Sequence, residues 1–275
     1  VNVESVVFET IDKYNLLSEA DKIAVAVSGG KDSMSILHVL SSKYNNITAL
    51  FVDVGIETFS DESFEIVSSF CSSQGIPLKL VRLKDVLGFT TPEAVSVIGG
   101  KPCTTCSVLK RYVLNKSARG FDKLVTGHNL DDAAESILMN IFKANMSSLA
   151  SLGPSSGIMH DNKFVSRVKP LYFVPEKEVL HYAVNHKLPF VSHPCPLRGD
   201  SPFRYYVKQR LNALEKDFPN VKRNIVNAFL KFIKGKSLNL KKLSYCKYCG
   251  EPSSSDICNF CKIRLQVERS LKNVR

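Results

Sequence analysis

The sequence predicts an α/β protein built on a doubly wound parallel sheet, with C-terminal helices and a small zinc-ribbon module appended. Three observations carry that expectation. Short apolar runs bounded by turn residues alternate with stretches of helical periodicity through most of the chain. The first run passes through two adjacent glycines straight into a helix. Six of the eight cysteines fall into three C-x-x-C pairs, two of which close the chain.

Taken in order, Val6, Val7, Ile11, Leu16 and Leu17 recur at helical intervals, so residues 1–20 form a leading helix. Ile23 to Val27 is a buried strand, and Met34 to Leu40 the helix after it. Between them, Ser28-Gly29-Gly30-Lys31-Asp32-Ser33 has the composition of a phosphate cradle. Its glycines let consecutive N–H groups turn inward, the helix N-terminus adds partial positive charge, and Ser28, Ser33 and Lys31 supply donors. The Walker pattern does not fit, because Lys31 is followed by Asp32 and only two glycines are present. A junction merely capped by Ser and Gly is the competing structural reading.

Ile47 to Val52 reads as a second strand and about 61–72 as a helix. Gly75-Ile76-Pro77 breaks that helix before a third strand, Leu78 to Leu83. Pro102-Cys103-Thr104-Thr105-Cys106 opens a helix that runs through Lys110 towards Ala118. Cysteines at a helix start face the positive end of its dipole, which favours thiolate and suits them as ligands or nucleophiles. Lys110 lies one turn past Cys106 and can share its face; the bland alternative is a pair of small buried hydrophobes. A fourth strand, Phe121 to Thr126, ends in Gly127-His128-Asn129-Leu130-Asp131-Asp132-Ala133-Ala134-Glu135, with polar residues where this architecture binds ligands. Asn129 or Asp131 also suits a helix N-cap.

Ser147 to Asp161 reads as a mobile loop, Phe164 to Val168 as a strand, and Glu176 to His186 as a helix after Pro175. Prolines on both sides hold Cys195 in an extended loop, displayed for chemistry or packed, whereas Cys71 reads as core.

Charge is unevenly placed. From Val1 to Pro202, 20 Lys+Arg face 21 Asp+Glu, a net −1; from Phe203 to Arg275, 17 face 5, a net +12. The basic end suggests a polyanionic partner, with RNA the natural candidate. Phe203 to Lys234 is helical in pattern and sets Arg204, Lys208, Arg210, Lys222 and Arg223 beside Tyr205, Tyr206 and Phe218, either to hold phosphates and bases or to snorkel. A linker, Lys234 to Lys242, precedes Cys246-x-x-Cys249 and Cys258-x-x-Cys261, two knuckles at the spacing of a tetrahedral structural zinc. The expected division is therefore 1–20 helix, 21–202 catalytic domain, 203–240 basic helical segment and 241–275 four-cysteine zinc-binding module. No apolar run is long enough for a membrane span, and the acidic start matches neither signal nor transit peptide, so a cytoplasmic enzyme is expected.

Ser28 to Ser33, Pro102-Cys103-x-x-Cys106 with Lys110, Gly127 to Asp132, Cys195 within His-Pro-Cys-Pro and the terminal quartet together resemble the tRNA 2-thiolation enzymes of the PP-loop ATP pyrophosphatase superfamily, in particular the two-thiouridine synthetases. The resemblance implies ATP contacts at Ala26, Ser28, Gly29, Gly30, Lys31, Asp32, Ser33, Val52, Lys110 and Gly127, with Asp32, Lys110 and Asp132 catalytic. It implies a [4Fe–4S] cluster on Cys103, Cys106 and Cys195 with one iron open, Mg²⁺ at the phosphates, and Zn²⁺ on Cys246, Cys249, Cys258 and Cys261. Uridine O2 would be adenylated and AMP then displaced by sulfur. The implied partners are tRNA and a sulfur donor such as a ubiquitin-like thiocarboxylate protein, and the family is compatible with a homodimer. Usual members also carry an N-terminal Cys/His zinc module, whereas here no cysteine precedes Cys71. The alternatives are another PP-loop ligase of the lysidine or 2-thiocytidine type, a non-catalytic zinc-containing RNA-binding protein, and, at Cys103 and Cys106, a redox dithiol.

Overall fold

The computed structural model describes residues 2–149, 152–156, 163–198, 202–234 and 244–273. Helix α1 (Val3–Tyr14) starts at Asn2, whose side chain accepts the Ser5 amide. Strand β1 (Ile23–Val27) leads into α2 (Lys31–Ser41), and β2 (Ile47–Asp53) into α3 (Phe59–Ser73). β3 (Leu78–Arg82) is followed by α4 (Leu83–Leu87), α5 (Thr91–Ile98) and α6 (Pro102–Ser117). After β4 (Lys123–Val125) come α7 (Leu130–Phe142), α8 (Met146–Leu149), β5 (Ser155–Ser156), β6 (Ser166–Val168) and α9 (Glu176–Asn185). The chain continues through α10 (Pro202–Asp217) and α11 (Val221–Ile233) to β7 (Ser244–Tyr245), β8 (Pro252–Ser253) and α12 (Asn259–Asn273).

The main sheet has the order β3-β2-β1-β4-β6-β5, parallel except for β5. β1 sits at its centre, Ile23 opposite both Ile47 and Lys123, and helices cover both faces, which is why Ile-Ala-Val-Ala-Val is apolar throughout. On one face Ile36, Leu37 and Leu40 of α2 pack with Val7 and Ile11 of α1 and Val179 of α9. On the other, Leu50 and Leu124 meet Leu109 and Val113 of α6 and, beyond them, Phe260 and Val267 of α12. A third cluster joins Ala134 and Ile137 of α7 to Val207 and Leu211 of α10 and to Val226 and Phe229 of α11.

From β1 the chain winds outward through β2 to β3, then returns to lay β4 on the other side of β1. The loops after β1 and β4 therefore diverge, opening a crevice at the carboxyl ends of the strands. Cys71 is buried in the core, as expected, and burial pushes its thiol up to about 11.

Several boundaries differ from the expected ones. α2 begins at Lys31 rather than Met34, so the polar loop residues form its first turn. Helices α4 and α5 were not legible as periodic runs. α5 is set by its ends, with a capping box between Thr90 and Glu93 and Pro92 in its first turn. The fourth strand shortens to three residues, after which the Thr126 amide still bonds the Val168 carbonyl at 3.0 Å. Of the expected loop 147–161, the described part contains the end of α8 and β5. Residues 150–151 and 157–162, and 235–242 of the expected linker, lie outside the described residues.

Candidate active site at the carboxyl ends of the strands

The loop after β1 is built by its own hydroxyls. Ser33 Oγ donates to the Gly30 carbonyl at 2.9 Å and accepts the Ser28 amide at 3.1 Å, while the Ser28 and Ser33 hydroxyls lie 3.3 Å apart. Gly29 has φ +75°, the left-handed conformation that turns the backbone at that point. Gly30 precedes α2 without a side-chain cap, which leaves the first N–H groups of the helix for an anion. Ala26 and Val52 stand on the central strands β1 and β2, with Val52 buried. Gly127, after β4, is pressed against the first turn of α2: a Cβ there would lie 2.9 Å from the Asp32 carbonyl carbon.

Charged groups from distant segments meet at this turn. Lys31 Nζ bridges Asp32 at 2.9 Å and Glu176 of α9 at 3.2 Å, and Lys208 of α10 reaches the other Glu176 oxygen at 2.7 Å. Asn129 caps α7 in a box with Asp132, and its Nδ2 donates to Asp32 at 3.1 Å. Arg204 of α10 holds Asp132 at 2.9 Å and Glu135 at 3.0 Å. Asp131 accepts the Glu176 amide at 2.8 Å and the Lys222 ammonium. Burial raises the Asp32 carboxyl above the usual range against the pull of Lys31 and Asn129, with Asp132 adding a like charge. Burial likewise raises Asp132, against Arg204. Two acids held this way would be relieved by a divalent cation or by substrate cations.

Cys103 and Cys106 occupy the first turn of α6, as expected, with Cys103 exposed and Cys106 half-buried. Cys195 lies in the loop after α9, half-buried, against the same apolar cluster as Cys106. That loop is tied to the phosphate loop, because the Val191 amide donates to the Gly29 carbonyl at 2.9 Å. His193 in it contacts Glu62 at 2.6 Å. Burial raises the Cys106 thiol despite the neighbouring Lys110 ammonium, with Cys195 and Cys103 adding to the rise. The depressed thiol expected from the helix dipole is thus overridden at Cys106 by desolvation. Burial lowers Lys110, opposed by Cys106 and Cys195. The electrostatics of Cys103, Cys106 and Cys195 are thus linked through the half-buried Lys110.

In the C-terminal module the four sulfurs of Cys246, Cys249, Cys258 and Cys261 lie within 4.8 Å of one another. The Cys258 amide points at Cys246 Sγ (3.3 Å) and the Cys261 amide at Cys258 Sγ (3.4 Å). Cys246 is lowered to about 6: burial raises it, but amide hydrogen bonds from Cys258, Cys249 and Tyr248 outweigh burial. Cys249 is pushed up to about 11, chiefly by burial. Four crowded sulfurs that cannot all ionise unaided fit a tetrahedral zinc. The module is braced on α6, where Tyr112 stacks on Phe260 at 3.6 Å and Arg119 pairs with Glu251 at 2.6 Å.

Of the cations expected to meet RNA, Arg204, Lys208 and Lys222 are engaged with carboxylates of the crevice, and Arg223 donates to the Phe173 carbonyl at 3.2 Å. Arg210 instead covers the Tyr206 ring at 5.1 Å. Glu135 closes the polar run expected at the site, whereas Glu176 was not singled out in the sequence. The proline before Glu176 marks a helix start, but nothing local shows which cation it will meet.

The PP-loop domain model matches residues 3–215. The chain is 41% identical over 264 residues to the tRNA-5-methyluridine(54) 2-sulfurtransferase of Pyrococcus horikoshii, covering 94% of this chain and 83% of that one. It is 33% identical over 281 residues to the cytoplasmic tRNA 2-thiolation protein 1 of Chlamydomonas reinhardtii, covering 98% and 77%. Among solved structures, the U34-tRNA thiolase NcsA of Methanococcus maripaludis with its [4Fe–4S] cluster superposes with a TM-score of 0.80 at 32% identity, covering 94% of this chain and 86% of that one.

Proposed function

The chain belongs to the PP-loop domain family, and from that membership we infer that it is an ATP-dependent tRNA 2-sulfurtransferase that makes 2-thiouridine. ATP lies with its β and γ phosphates over the Ser28 to Ser33 loop, where the uncapped backbone N–H groups at the start of α2, the Ser28 hydroxyl and Lys31 are available to them. Uridine O2 attacks the α-phosphorus, the bond to the bridging oxygen breaks, and pyrophosphate departs into the loop. A sulfur nucleophile then adds at C2, and AMP leaves with the original O2. Adenylation is needed because that oxygen is otherwise a poor leaving group. Asp32 and Asp132 would hold Mg²⁺ at the phosphates, and Lys110 would meet negative charge at the reacting centre.

Cys103, Cys106 and Cys195 would hold the cluster, and when bound it supplies an open iron site able to carry sulfide. The C-terminal quartet would hold a structural zinc. A protein thiocarboxylate is a suitable sulfur source because it delivers sulfur at an already reduced level.

The observation that carries this reading is the bond from Val191 to Gly29, which fixes the Cys195 loop to the phosphate loop. A lysidine-type ligase or a passive RNA-binding module has no use for that coupling. The test is incubation of anaerobically reconstituted protein with ATP, sulfide and unmodified tRNA. AMP and pyrophosphate should appear in step with 2-thiouridine, and Cys195→Ala should lose thiolation while still binding ATP. Release of ADP and phosphate instead would refute the reading.

A further inference from the structure

Gly127 turns its hydrogen towards the first turn of α2. Side chains alternate along extended backbone, so Thr126 and His128, joined by a 2.9 Å hydrogen bond, face the other way. There they line a recess of about 300 Å³ with Arg111 of α6, Asp132 of α7, Arg167 of β6 and Lys169 just beyond it. None of its lining residues comes from the Ser28 to Ser33 loop. Asp132 is the wall it shares with the nucleotide crevice.

The recess is electrically unbalanced. Arg167 donates to the Arg111 carbonyl at 3.2 Å and Lys169 to the Gly153 carbonyl at 2.9 Å. Among the described residues no carboxylate pairs with Arg111, Arg167 or Lys169. The one acid in the lining, Asp132, is already held by Arg204 at 2.9 Å. Burial and then the neighbouring guanidinium of Arg111 lower Arg167, and burial, Arg167 and Arg111 bring Lys169 down to about 8. Backbone carbonyls orient these cations without neutralising them, which suits a site completed by an incoming anion.

We propose that this recess binds a backbone phosphodiester of the RNA substrate beside the reacting nucleotide, an inference that rests on the tRNA thiolase reading. The phosphates of ATP are provided for on the opposite side of Gly127, by the loop hydroxyls, Lys31 and the N-terminus of α2. A uridine whose O2 reaches the α-phosphorus near Asp132 must bring its own backbone past that same residue. Arg111 and His128 are exposed at the mouth, where a macromolecule can reach them. Leu114, Leu152 and Tyr172 give the recess an apolar side against which a ribose or base can pack. Each phosphate contact fixes the register of the RNA without reading its sequence.

The test is tRNA binding by fluorescence anisotropy across a salt series, for wild type, Arg111→Gln, Lys169→Met and Lys169→Arg. ATP affinity and thermal melting are measured in parallel as controls of the other site and of folding. For Arg111→Gln and Lys169→Met the slope of log K against log salt should flatten by about one, tRNA affinity at low salt should fall several-fold, and ATP affinity should hold. Lys169→Arg should keep the wild-type slope. Unchanged slopes in both neutralised variants overturn the proposal. So does loss of ATP affinity with tRNA binding intact, which would assign the recess to the nucleotide's phosphates. A wild-type protein that binds no tRNA sinks the thiolase reading and this inference together, whereas normal wild-type thiolation with unaffected variants sinks only the recess.

Discussion

Gly127 and Gly30 are both small for the sake of the nucleotide loop, yet for different reasons that mutation separates. At Gly127 an added methyl would meet backbone, 2.9 Å from the Asp32 carbonyl carbon and 3.0 Å from the Ser33 nitrogen, and backbone cannot swing aside. Gly127→Ala should cost roughly 1–3 kcal/mol through overpacking, seen as a lower urea midpoint, and should weaken ATP binding by displacing the first turn of α2. At Gly30 the nearest atom to an added Cβ is Ser28 Oγ at 3.6 Å, ordinary contact, so Gly30→Ala should leave the midpoint nearly unchanged. Equal effects at the two sites would show that the α2–β4 contact yields. Lys169 gives a pH signature at the same scale. Its folded pKa, about 8, lies below the ordinary 10.5 under burial and the charges of Arg167 and Arg111, with Asp132 opposing and His128 also at the rim. Between about 8 and 10.5 the unfolded chain binds the extra proton, so this group's contribution to stability rises with pH across that window and its penalty is full below it. Denaturant titrations from about pH 7.5 to 10 should show that slope in wild type and a flatter one in Lys169→Met.

Helices α10 and α11 are attached to the catalytic sheet by charge as well as by apolar packing. Lys222 at the start of α11 is buried, bonds Asp131 of α7 and Asn212 of α10, and Asp131 in turn receives the first amide of α9. One carboxylate therefore ties α9 and α11 to α7, and Lys222 brings in α10 through Asn212. Lys222→Met keeps the aliphatic stem but leaves Asp131 buried without its cation, a loss of roughly 3–5 kcal/mol for a broken buried pair. The urea midpoint should fall accordingly, and a change under about 1 kcal/mol would mean that the pair is solvated in practice. Arg204 makes a milder link, exposed on one side while bridging Asp132 and Glu135. Its removal should disturb catalysis by freeing Asp132 more than it disturbs folding.

Across the whole molecule, the C-terminal module and the cysteine-bearing helix behave as one body. α12 packs on α5 and α6, with the Tyr112–Phe260 stack and the Arg119–Glu251 pair between them. α6 also carries Cys103 and Cys106 in its first two turns and Lys110 midway along it. Loss of the proposed metal from the quartet should therefore be felt beyond the module. In Cys258→Ser/Cys261→Ser protein, hydrogen exchange of α6 amides should accelerate along with those of α12, and iron retained after reconstitution should fall. If exchange quickens only within 244–273, the module is an independent appendage. No helix among the described residues is long and apolar enough to cross a membrane.

The amino-acid sequence determined whatever depends on neighbours in the chain. Ser28 to Ser33 form a strand-loop-helix junction because glycine, serine and lysine occur there in the order a phosphate turn requires. The two C-x-x-C knuckles predict their own cluster because each supplies half of a tetrahedron locally. Cys71 was legible as core from its place in an apolar helical stripe. Tertiary structure alone decided which groups meet across long separations. Lys31 finds Glu176 and Asp131 finds Lys222 only because α9 and α11 close over the carboxyl ends of the strands. The cations of the basic helices looked like a free RNA-binding surface, but several turn inward to neutralise the acids of the crevice. Arg111, Arg167 and Lys169 form no pattern in the sequence and share a recess only because β6 is laid beside β4. Local patterns encode turns, caps and knuckles, whereas electrostatic partnership between distant segments is set by sheet order, and that is fixed only when the core closes.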